Sequence, residues 1–399
     1  MRILFLSLYP VDDAKHGGQL RSRALIEAYR RAGHTVQLAG VLGSEGYAQS
    51  QGFLGYPGDQ RLSSSTLGGQ GNEDYGVGRL CAEDPDWFKD LSAKIDGVPD
   101  LIHIEQPWLF DFASQYADSV PGGDAIQLVY GSQNIEHVLK KDILLSAGNP
   151  HYLEMTQRVG ELEERAINRA DAVICVSAHD LAWIRGNSST PSILIPNGIE
   201  RWQSTASGIQ QANALSGNKK FALFCGSAHQ PNVNGFVTMF DGGFGALDFD
   251  QRLIVAGAAG YLISQHAVLQ TSSKLADQTV IAGMVSSECL AGLLDTAHCL
   301  VLPLTQGGGT NLKTAEALWA GKHIVGTSVA MRGFERFLGS PGIHIADTPD
   351  AFKRAIREVM QSAPLVLDDQ QRAQRSIVLW EACVEPLPPF LDRIISKAS

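Results

Sequence analysis

The residues best suited to chemistry form one stretch in the second half of the chain, residues 304–322. An apolar run at 299–304 predicts a buried strand, three glycines follow at 307–309, and a helical pattern then runs to Gly321. Glycines let a backbone approach a ligand closely. The first amides of a helix lack partners and favour an anion. The order of strand, glycine turn and helix therefore predicts a phosphate site.

Two charged residues of this stretch fit such a site. Lys313 and Glu316 are three residues apart, so they share a helix face that begins at a predicted N-cap, Thr310. The cation suits a diphosphate and the carboxylate suits the hydroxyls of a ribose. A tight turn with a surface salt bridge explains the same spacing. The stretch is not a P-loop, because no Gly-Lys-Ser/Thr follows four spacer residues.

Length and composition bound the class of protein. A chain of 399 residues suggests two or three domains, and 44% hydrophobic with 19% charged residues supports a large core. The net charge of −10 argues against a footprint for nucleic acid along the whole chain. We therefore expect no nucleic-acid partner.

The cysteines and the apolar runs bear on the compartment. The six cysteines form no Cys-x-x-Cys pair, which is typical of reduced thiols in a cytoplasm. Residues 1–8 predict a core strand rather than a signal peptide, and no run of 18 apolar residues is present. These patterns predict a cytoplasmic protein.

Strand and helix patterns alternate along the chain in two series. Strand 2–8 leads through Gly17-Gly18 into a helix from about Gln19 to Ala32, and strand 35–41 completes a βαβ unit. Further strands are predicted in the first series at 101–105, 126–130, 172–176 and 192–195, and in the second at 221–225, 252–256, 280–283, 299–304 and 323–327. The sequence thus predicts an α/β protein of two doubly wound halves.

Composition sets the expected boundaries. We predict a first domain at 1–200, a polar linker at 201–219, a second domain at 220–375, and a closing segment at 376–399 that packs on the first domain. The Gly-, Ser- and Gln-rich segment 43–79 predicts a flexible insertion. It is either a tolerated surface insertion or a flap on the acceptor side.

The motifs of both halves resemble those of the GT-B glycosyltransferases, most closely the retaining GT4 family, over most of the chain. Those motifs are His16-Gly17-Gly18-x-x-Arg21, Gln133-Asn134-Ile135-Glu136-His137, Ile195-Pro196-Asn197-Gly198-Ile199, Phe224-Cys225-Gly226-Ser227 with Asn232-Val233, Trp380-Glu381, and the stretch from Gly307 to Lys322. The resemblance implies two Rossmann-like domains that face a cleft, with a C-terminal helix crossing back to the first domain.

The resemblance also implies an activity. A sugar moves, with retained configuration, from a nucleotide-diphosphate sugar (UDP- or GDP-linked) to the hydroxyl of a glycan, glycolipid or other acceptor. The donor binds mainly to the second half and the acceptor to the first. Polysaccharide, glycolipid or other glycoconjugate synthesis is the implied setting. A nucleotide-sugar epimerase of the same fold, or a non-catalytic nucleotide-sugar-binding protein, stays open as an alternative.

The implied donor site differs from the family pattern in two places. Glu316 matches the second glutamate of the Glu-x7-Glu signature, but Gly308 stands where the first is usual, as in a Gly-Gly-Gly-Thr subgroup. The usual Arg/Lys pair for the phosphates is absent from 226–232. We therefore assign the phosphates to Lys313 and to the amides of Gly308, Gly309 and Thr310. The full set of donor candidates is Gly17, Gly18, Gly226, Gly308, Gly309, Thr310, Asn311, Lys313 and Glu316.

The first half supplies the remaining candidates. Gln133 stands where related chains often carry a histidine, and a glutamine cannot act as a base. A retaining reaction can instead pass the acceptor proton to the leaving phosphate. The catalytic candidates are Gln133, Asn134, Glu136 and Lys313, and the acceptor or sugar contacts are Arg21, Glu105, His137 and Asn197. The alternative for His137 and Glu105 is a structural role at the start of a helix. The alternative for Arg21 is a solvated side chain.

The sequence predicts neither a metal site nor a strong membrane contact. Asp248-Phe249-Asp250 matches the Asp-x-Asp pattern of GT-A enzymes, but it lies away from any glycine turn and is interpreted as a loop. We expect no metal and no required cofactor, since GT-B enzymes generally use helix amides and cations. Short basic clusters would support at most a weak peripheral contact at the inner face of the cell membrane. The oligomeric state is left open.

Overall fold

The computed structural model describes residues 1–14, 16–64, 71–241, 246–306 and 310–398. The chain folds into two compact units, one formed by 1–197 together with 383–399 and the other by 198–382. Each unit is built on one parallel β-sheet with helices on both faces. The two doubly wound halves predicted from the alternating patterns are therefore confirmed.

Seven parallel strands form the sheet of the first unit, in the order β3-β2-β1-β4-β5-β6-β7. Their bounds are β1 Arg2–Ser7, β2 Thr35–Val41, β3 Phe53–Leu54, β4 Leu101–Glu105, β5 Gln127–Ser132, β6 Ala172–Cys175 and β7 Ser192–Leu194. The helices of this unit are α1 Gly17–Arg31, α2 Asp59–Ser64, α3 Glu73–Glu83, α4 Pro85–Ser92, α5 Phe110–Ser119, α6 Glu136–Ser146, α7 Tyr152–Arg169 and α8 Ala178–Asn187. The strand order reverses at β1, between β2 and β4, and ligands of such sheets bind beyond the carboxyl ends of the strands at that point.

The second unit repeats this plan with six parallel strands in the order β10-β9-β8-β11-β12-β13. Their bounds are β8 Phe221–Cys225, β9 Arg252–Ala256, β10 Thr279–Gly283, β11 Cys299–Leu302, β12 His323–Gly326 and β13 Ile343–Ile345. The helices are α9 Ala206–Ser216, α10 Gln230–Phe240, α11 Ala259–Ser264, α12 Ala267–Gln270, α13 Ser273–Gln278, α14 Ser287–Thr296, α15 Leu312–Ala320, α16 Pro349–Gln361, α17 Asp369–Arg375 and α18 Trp380–Cys383. Here the order reverses at β8, between β9 and β11.

The side chains of the central strands alternate between two cores. Phe224 and Val255 pack into one cluster of the second unit, while Leu223 and Ile254 pack into the other. Both faces of the sheet are thus covered, which explains why these strands read as continuous apolar runs.

The segment 201–219, predicted as a linker, contains α9 and belongs to the second unit. Thr205 caps this helix and Gly217 ends it in the left-handed region, at φ 62°. The helix crosses α14 so closely that a Cβ at Gly292 would lie 2.1 Å from the carbonyl oxygen of Gly208. Small residues made the segment look like a linker, and the structure uses them for close helix packing.

The segment 43–79 also carries more structure than its composition predicts. Phe53 and Leu54 pair with β2 as an edge strand, and α2 and the start of α3 follow. Leu62, Tyr75 and Val77 enter the core of the first unit. A few well-spaced apolar residues are enough to fix the described residues of this segment.

The C-terminal residues return to the first unit at 383 rather than at 376. Before that point, Leu379 pairs with Ile199 in an isolated bridge inside the second unit. The last helix, α19 Leu387–Ala398, then contacts α1. Across the described residues, no helix is both long and apolar enough to cross a membrane.

Candidate functional site

Charged side chains meet below the carboxyl edge of the first sheet. Arg21, on α1, donates from Nε to Glu105 Oε1 at 3.1 Å, and both side chains are almost fully buried. His103 Nε2 bonds to the other oxygen, Glu105 Oε2, at 2.8 Å, and the hydroxyl of Tyr29 reaches His103 Nδ1 at 2.7 Å. Arg21 also donates to the carbonyl of Ile195 at 2.7 Å. The result is a closed hydrogen-bonded network that joins α1, β4 and the end of β7.

Burial and neighbouring charge shift the pKa of Glu105 in opposite directions. Burial raises the pKa of its carboxyl, but the hydrogen bond from His103 and the charge of Arg21 outweigh it, so that the pKa lies below its ordinary value. Glycine is required beside this carboxylate, because a Cβ at Gly131 would lie 2.1 Å from Glu105 Oε2. The network is therefore ionised and sterically fixed.

Gln133 connects this network to the surface. Its Nε2 donates to Glu105 Oε1 at 2.8 Å and to the Tyr9 hydroxyl at 2.6 Å. Burial, together with the charge of Glu105, raises the pKa of Tyr9, which stays protonated. Gly18 packs against the same two side chains, since a Cβ there would lie 2.9 Å from the Tyr9 hydroxyl and 3.0 Å from Gln133 Oε1.

A cavity of about 270 Å³ opens above this layer, at the point where the strand order reverses. Its aromatic wall consists of Tyr9, His16 and Tyr47, in which His16 Nε2 and the Tyr47 hydroxyl are 2.9 Å apart. Burial lowers the pKa of His16. The remaining lining residues are Leu8, Gly18, Gly43, Ser44, Asp74, Gln106 and Gln133. Hydroxyl, amide and aromatic groups of this kind can bind a polyhydroxylated molecule.

Glu136 lies at the first turn of α6, next to this cavity. Asn134 Nδ2 donates to Glu136 Oε1 at 3.3 Å, and Gln106 Nε2 approaches the same oxygen at 3.5 Å. Burial, reinforced by the charges of Asp74 and Glu163, raises the pKa of Glu136 to about 8. The side chain therefore keeps its proton at neutral pH and can donate a hydrogen bond.

The residues predicted as acceptor or sugar contacts do not form one site in the structure. Arg21 and Glu105, expected as acceptor or sugar contacts, bond to each other beneath the cavity. Asn197 accepts from Arg21 Nη1 at 3.3 Å. His137 bonds to Glu163 and lines a different cavity. Gly17 is the first residue of α1, which begins two residues before the predicted start because His16 caps it.

The second unit places Lys313 and Glu316 at the start of α15, directly after β11. The N-cap is Asn311 rather than the predicted Thr310: the Asn311 side chain accepts from the Lys313 amide at 3.2 Å. Lys313 and Glu316 line a narrow space below the helix together with Cys225, from the end of β8. Gly308 and Gly309, predicted to hold phosphate, lie outside the described residues.

Burial opposes the charge of both groups. It lowers the pKa of Lys313 and raises the pKa of Glu316, although each charge partly offsets the shift of the other. It also raises the pKa of the Cys225 thiol to about 12, with the charge of Glu316 adding to the effect. Within the described part of the chain, neither Lys313 nor Glu316 has a side-chain hydrogen bond or ion pair.

Gly226 and Ser227 follow β8, on the strand next to β11. Asn232, almost fully buried, donates to the carbonyl oxygen of Ser227 at 3.0 Å and to its hydroxyl at 3.1 Å, which fixes this turn. Gly226 therefore lies at the same carboxyl edge as Lys313 and Glu316.

The Asp248-Phe249-Asp250 segment forms a loop before β9, and Phe249 is fully exposed there. Gln251 fixes the loop, since its Oε1 accepts from the Asp248 amide at 3.1 Å. The described residues contain no group of three or more His, Cys, Asp or Glu side chains placed to hold a metal ion.

Sequence reasoning missed residues that have no motif of their own. Tyr9 and Gln106 are single residues that follow strand ends, His103 lies within β4, and Asp74 comes from the segment predicted as an insertion. For Tyr9 and Gln106 the one signal is a position just after the carboxyl end of a predicted strand. None of the six cysteines, all of which lie in the described part of the chain, forms a disulfide, and five of them are buried.

The comparisons with known proteins agree with this geometry. Residues 219–362, inside the second unit, match the family model described as "Glycosyl transferases group 1". Among curated proteins, no sequence matches the chain. The matched region includes β11 and α15, and with them Lys313 and Glu316.

Solved structures are similar over nearly their whole length. Sucrose-phosphate synthase from Thermosynechococcus elongatus is 17% identical over all of both chains, with a TM-score of 0.69. HepE from Anabaena, in complex with UDP, is 14% identical over 98% of this chain and 100% of its own, with a TM-score of 0.62. The catalytic domain of starch synthase IV from Arabidopsis thaliana, bound to ADP and acarbose, is 12% identical over 99% of both chains, with a TM-score of 0.59.

At these identities the similarity establishes the fold. The chain has the GT-B fold, with two Rossmann-like units in succession. The class defined by the fold is therefore a GT-B protein, and residues 219–362 of its second unit are similar to the glycosyl transferases group 1 family.

Proposed function

We propose that this protein is a retaining glycosyltransferase of the GT4 type. It transfers a sugar from a nucleotide-diphosphate sugar to an acceptor hydroxyl in polysaccharide, glycolipid or other glycoconjugate synthesis. One observation carries the proposal: Lys313 and Glu316 lie partly buried at the helix start after β11, with no partner among the described residues, inside the region that matches the glycosyltransferase model.

The donor half of the proposal assigns a role to each group. The Lys313 ammonium and the helix-start amides bind the diphosphate, and the Glu316 carboxylate accepts hydrogen bonds from the ribose hydroxyls. A diphosphate gains negative charge as it leaves, so fixed donors aimed at it lower the barrier. The burial that opposes charge at Lys313 is relieved when an anion binds, which makes the lysine a stronger partner for the diphosphate.

The acceptor half uses the cavity of the first unit. Its hydroxyl and amide groups, among them Gln133 and Tyr9, suit an acceptor with several hydroxyls. Gln133 positions the acceptor rather than removing its proton. The leaving phosphate takes that proton, which is consistent with retained configuration. No cofactor beyond the sugar nucleotide is part of this proposal.

Nucleotide-diphosphate release tests the proposal. Purified protein is incubated with UDP- and GDP-sugars, beside the Glu316→Ala and Lys313→Ala variants. We expect release by the natural chain and a loss of at least about tenfold in each variant, since a hydrogen bond to a charged group contributes about 1.5–3 kcal/mol. Lys274→Ala and Glu358→Ala, which change exposed residues of the same unit, serve as matched controls with unchanged release.

Three other outcomes separate the alternatives. Interconversion of a sugar nucleotide without an acceptor, followed by NMR, would identify an epimerase. Tight nucleotide binding without turnover over any acceptor would identify a binding protein. Calorimetry that detects no binding of any nucleotide would contradict all three.

A further inference from the structure

A second cavity lies on the first unit, among the helices α6, α7 and α8. It encloses about 430 Å³ and shares no lining residue with the cavity at the carboxyl edge. Its lining residues are His137, Thr156, Gln157, Gly160, Glu161, Glu164, Trp183 and Asn187. The proposed transfer reaction uses none of this space.

His137 enters the cavity in a fixed orientation. Glu163, whose side chain is 1% exposed, accepts from His137 Nδ1 at 2.6 Å and from the backbone amides of Glu136 and His137 at 2.6 and 2.8 Å. A buried carboxylate thus caps α6 and holds the imidazole. The other ring nitrogen, Nε2, bonds to no described residue and is available to a ligand in the cavity.

An aromatic ring stands beside this imidazole. The ring of Trp183, on α8, lies with its centroid 5.5 Å from that of His137, and the two planes are tilted by 45°. Trp183 is partly exposed in the cavity. The apolar side of the cavity is therefore an indole next to an oriented imidazole.

Gly160 keeps the cavity open. It lies in the middle of the 18-residue helix α7, where a glycine is less favourable than alanine. A Cβ at this position would lie 3.7 Å from His137 Cβ and Cγ, at ordinary contact distance. Packing therefore does not demand a glycine here, and its effect is to leave the space over the imidazole empty.

Polar side chains form the rim of this cavity. Gln157 Nε2 donates to Glu161 Oε1 at 2.9 Å, and Asn187 Nδ2 donates to the Trp183 carbonyl at 2.8 Å, which leaves the amide oxygens as acceptors. Glu164 adds a second carboxylate to the rim. Carboxylates and amides accept from hydroxyl groups, and an anion would meet two negative charges.

We propose that this cavity is a carbohydrate-binding site for an uncharged pyranose ring, separate from the site of sugar transfer. The C–H face of the pyranose lies against Trp183, and its hydroxyls form hydrogen bonds with His137 Nε2, Glu161 and Glu164. The ring is part of a neutral glycan, because a phosphorylated or carboxylated sugar is repelled by the rim.

The test is direct binding of neutral disaccharides. Maltose, cellobiose, lactose and N,N'-diacetylchitobiose are titrated into the full chain and followed by saturation-transfer NMR, with glucose 6-phosphate as the anionic probe. We expect at least one neutral disaccharide to bind and glucose 6-phosphate not to compete with it. Gly160→Ala should weaken that binding at least about tenfold, while thermal unfolding shows a fold at least as stable as the natural one.

Gly186→Ala is the matched control. Gly186 lies in α8, a Cβ there meets nothing within 4 Å, and the residue is outside the cavity lining. This variant makes the same chemical change in a neighbouring helix and should bind the disaccharide as the natural chain does. Trp183→Ala should also lose binding.

The proposal is overturned if none of the four disaccharides binds, or if Gly160→Ala binds as tightly as Gly186→Ala. In the second case the sugar occupies another site, such as the cavity at the carboxyl edge. Calorimetry with UDP and GDP on the same samples reports the donor site by itself. Failure of this inference is therefore distinguishable from failure of the proposed transferase activity.

Discussion

The two units share one plan and differ in what they do with buried charge at the carboxyl edge. In the first unit, Arg21 and Glu105 bond directly, and His103 and Gln133 complete the coordination of the carboxylate. In the second unit, Lys313 and Glu316 lie one helical turn apart, and their side chains make no hydrogen bond or ion pair with any described residue. The pKa of Glu105 lies below its ordinary value, whereas burial raises that of Glu316.

The difference assigns a task to each edge. A carboxylate that receives hydrogen bonds from its own protein is stable as an ion and holds neighbouring elements in place. A carboxylate and an ammonium left without partners cost stability, and that cost is relieved when a ligand supplies the missing charge and hydrogen bonds. The first edge is a rigid floor under a cavity, and in the proposed function the second edge binds a charged ligand.

The largest effect should follow Glu105→Gln. The substitution keeps the shape of the side chain, but it leaves the buried guanidinium of Arg21 without a counter-charge. Breaking a fully buried ion pair costs about 3–5 kcal/mol of the free energy of unfolding. Urea unfolding of the purified variant at neutral pH measures the loss.

The exposed pair Arg201–Glu381 provides the control, since both of its side chains are about half exposed. Glu381→Gln should change the free energy of unfolding by less than about 1 kcal/mol. Equal losses for the two variants would contradict the claim that the network of the first unit is a structural floor.

Gln133→Ala should produce the next largest effect. It removes the donor to Glu105 Oε1 and to the Tyr9 hydroxyl, and the expected loss of stability is about 1–3 kcal/mol. Gln211→Ala, on the exposed face of α9, should change stability by less than about 0.5 kcal/mol. If Gln133→Ala abolishes sugar transfer without any loss of stability, Gln133 acts on the substrate alone and the comparison needs revision.

The fold was largely predictable from the sequence, because parallel strands covered on both faces are continuous apolar runs with glycine turns at their ends. The errors lie where a few residues decide the structure. Gly208 lies in the segment predicted as a linker, yet Gly208 and Gly292 let α9 and α14 cross closely. Phe53 and Leu54 add an edge strand inside a segment that otherwise lacks apolar residues.

The two sites were predictable to different degrees. Lys313 and Glu316 could be found because they lie on one helix, at a spacing that sequence alone reveals. For the network of the first unit, the sequence identified residues such as Arg21 and Glu105 but not the bonds between them. Arg21 and Glu105 are 84 residues apart, and their pairing depends on which strands are neighbours in the sheet. Composition does not encode such contacts, so both residues were expected to touch a ligand.

Histidines sharpen the comparison further. In the first unit His103 is bonded on both ring nitrogens. In the second unit the rings of His298, His323 and His344 lie side by side, with centroids 5.5 and 5.6 Å apart and planes tilted by 35° and 38°. Burial lowers the pKa of His344, and the neighbouring His323 adds to the effect although Glu358 opposes it.

A histidine whose pKa is lower in the folded state stabilises the protein above its ordinary pKa, near 6.5, and that contribution is lost as the pH falls through the folded value. We expect His344→Gln to lose less stability than the natural chain between about pH 7.5 and about pH 5. Urea unfolding at both pH values measures the difference. Equal losses of stability in the two proteins would show that His344 does not resist protonation in the folded state.

Glu316→Gln should have the smallest effect on stability, and of opposite sign to Glu105→Gln. Because burial raises the pKa of Glu316, the folded state holds its proton more tightly than the unfolded chain. Its stability contribution is present below the ordinary pKa and is lost as the pH rises through the folded value. Removing the charge should therefore leave the free energy of unfolding unchanged or slightly higher at about pH 7.5, with no difference in acid.

Ligand-linked stability completes this test. UDP or GDP, whichever binds, should raise the melting temperature of the natural chain, since a ligand that binds only the folded state stabilises it. The same nucleotide should raise that of Glu316→Gln by much less, because the variant lacks the carboxylate for the ribose hydroxyls. A Glu316→Gln protein that is strongly destabilised, yet still responds fully to the nucleotide, would show that this carboxylate serves the fold as Glu105 does.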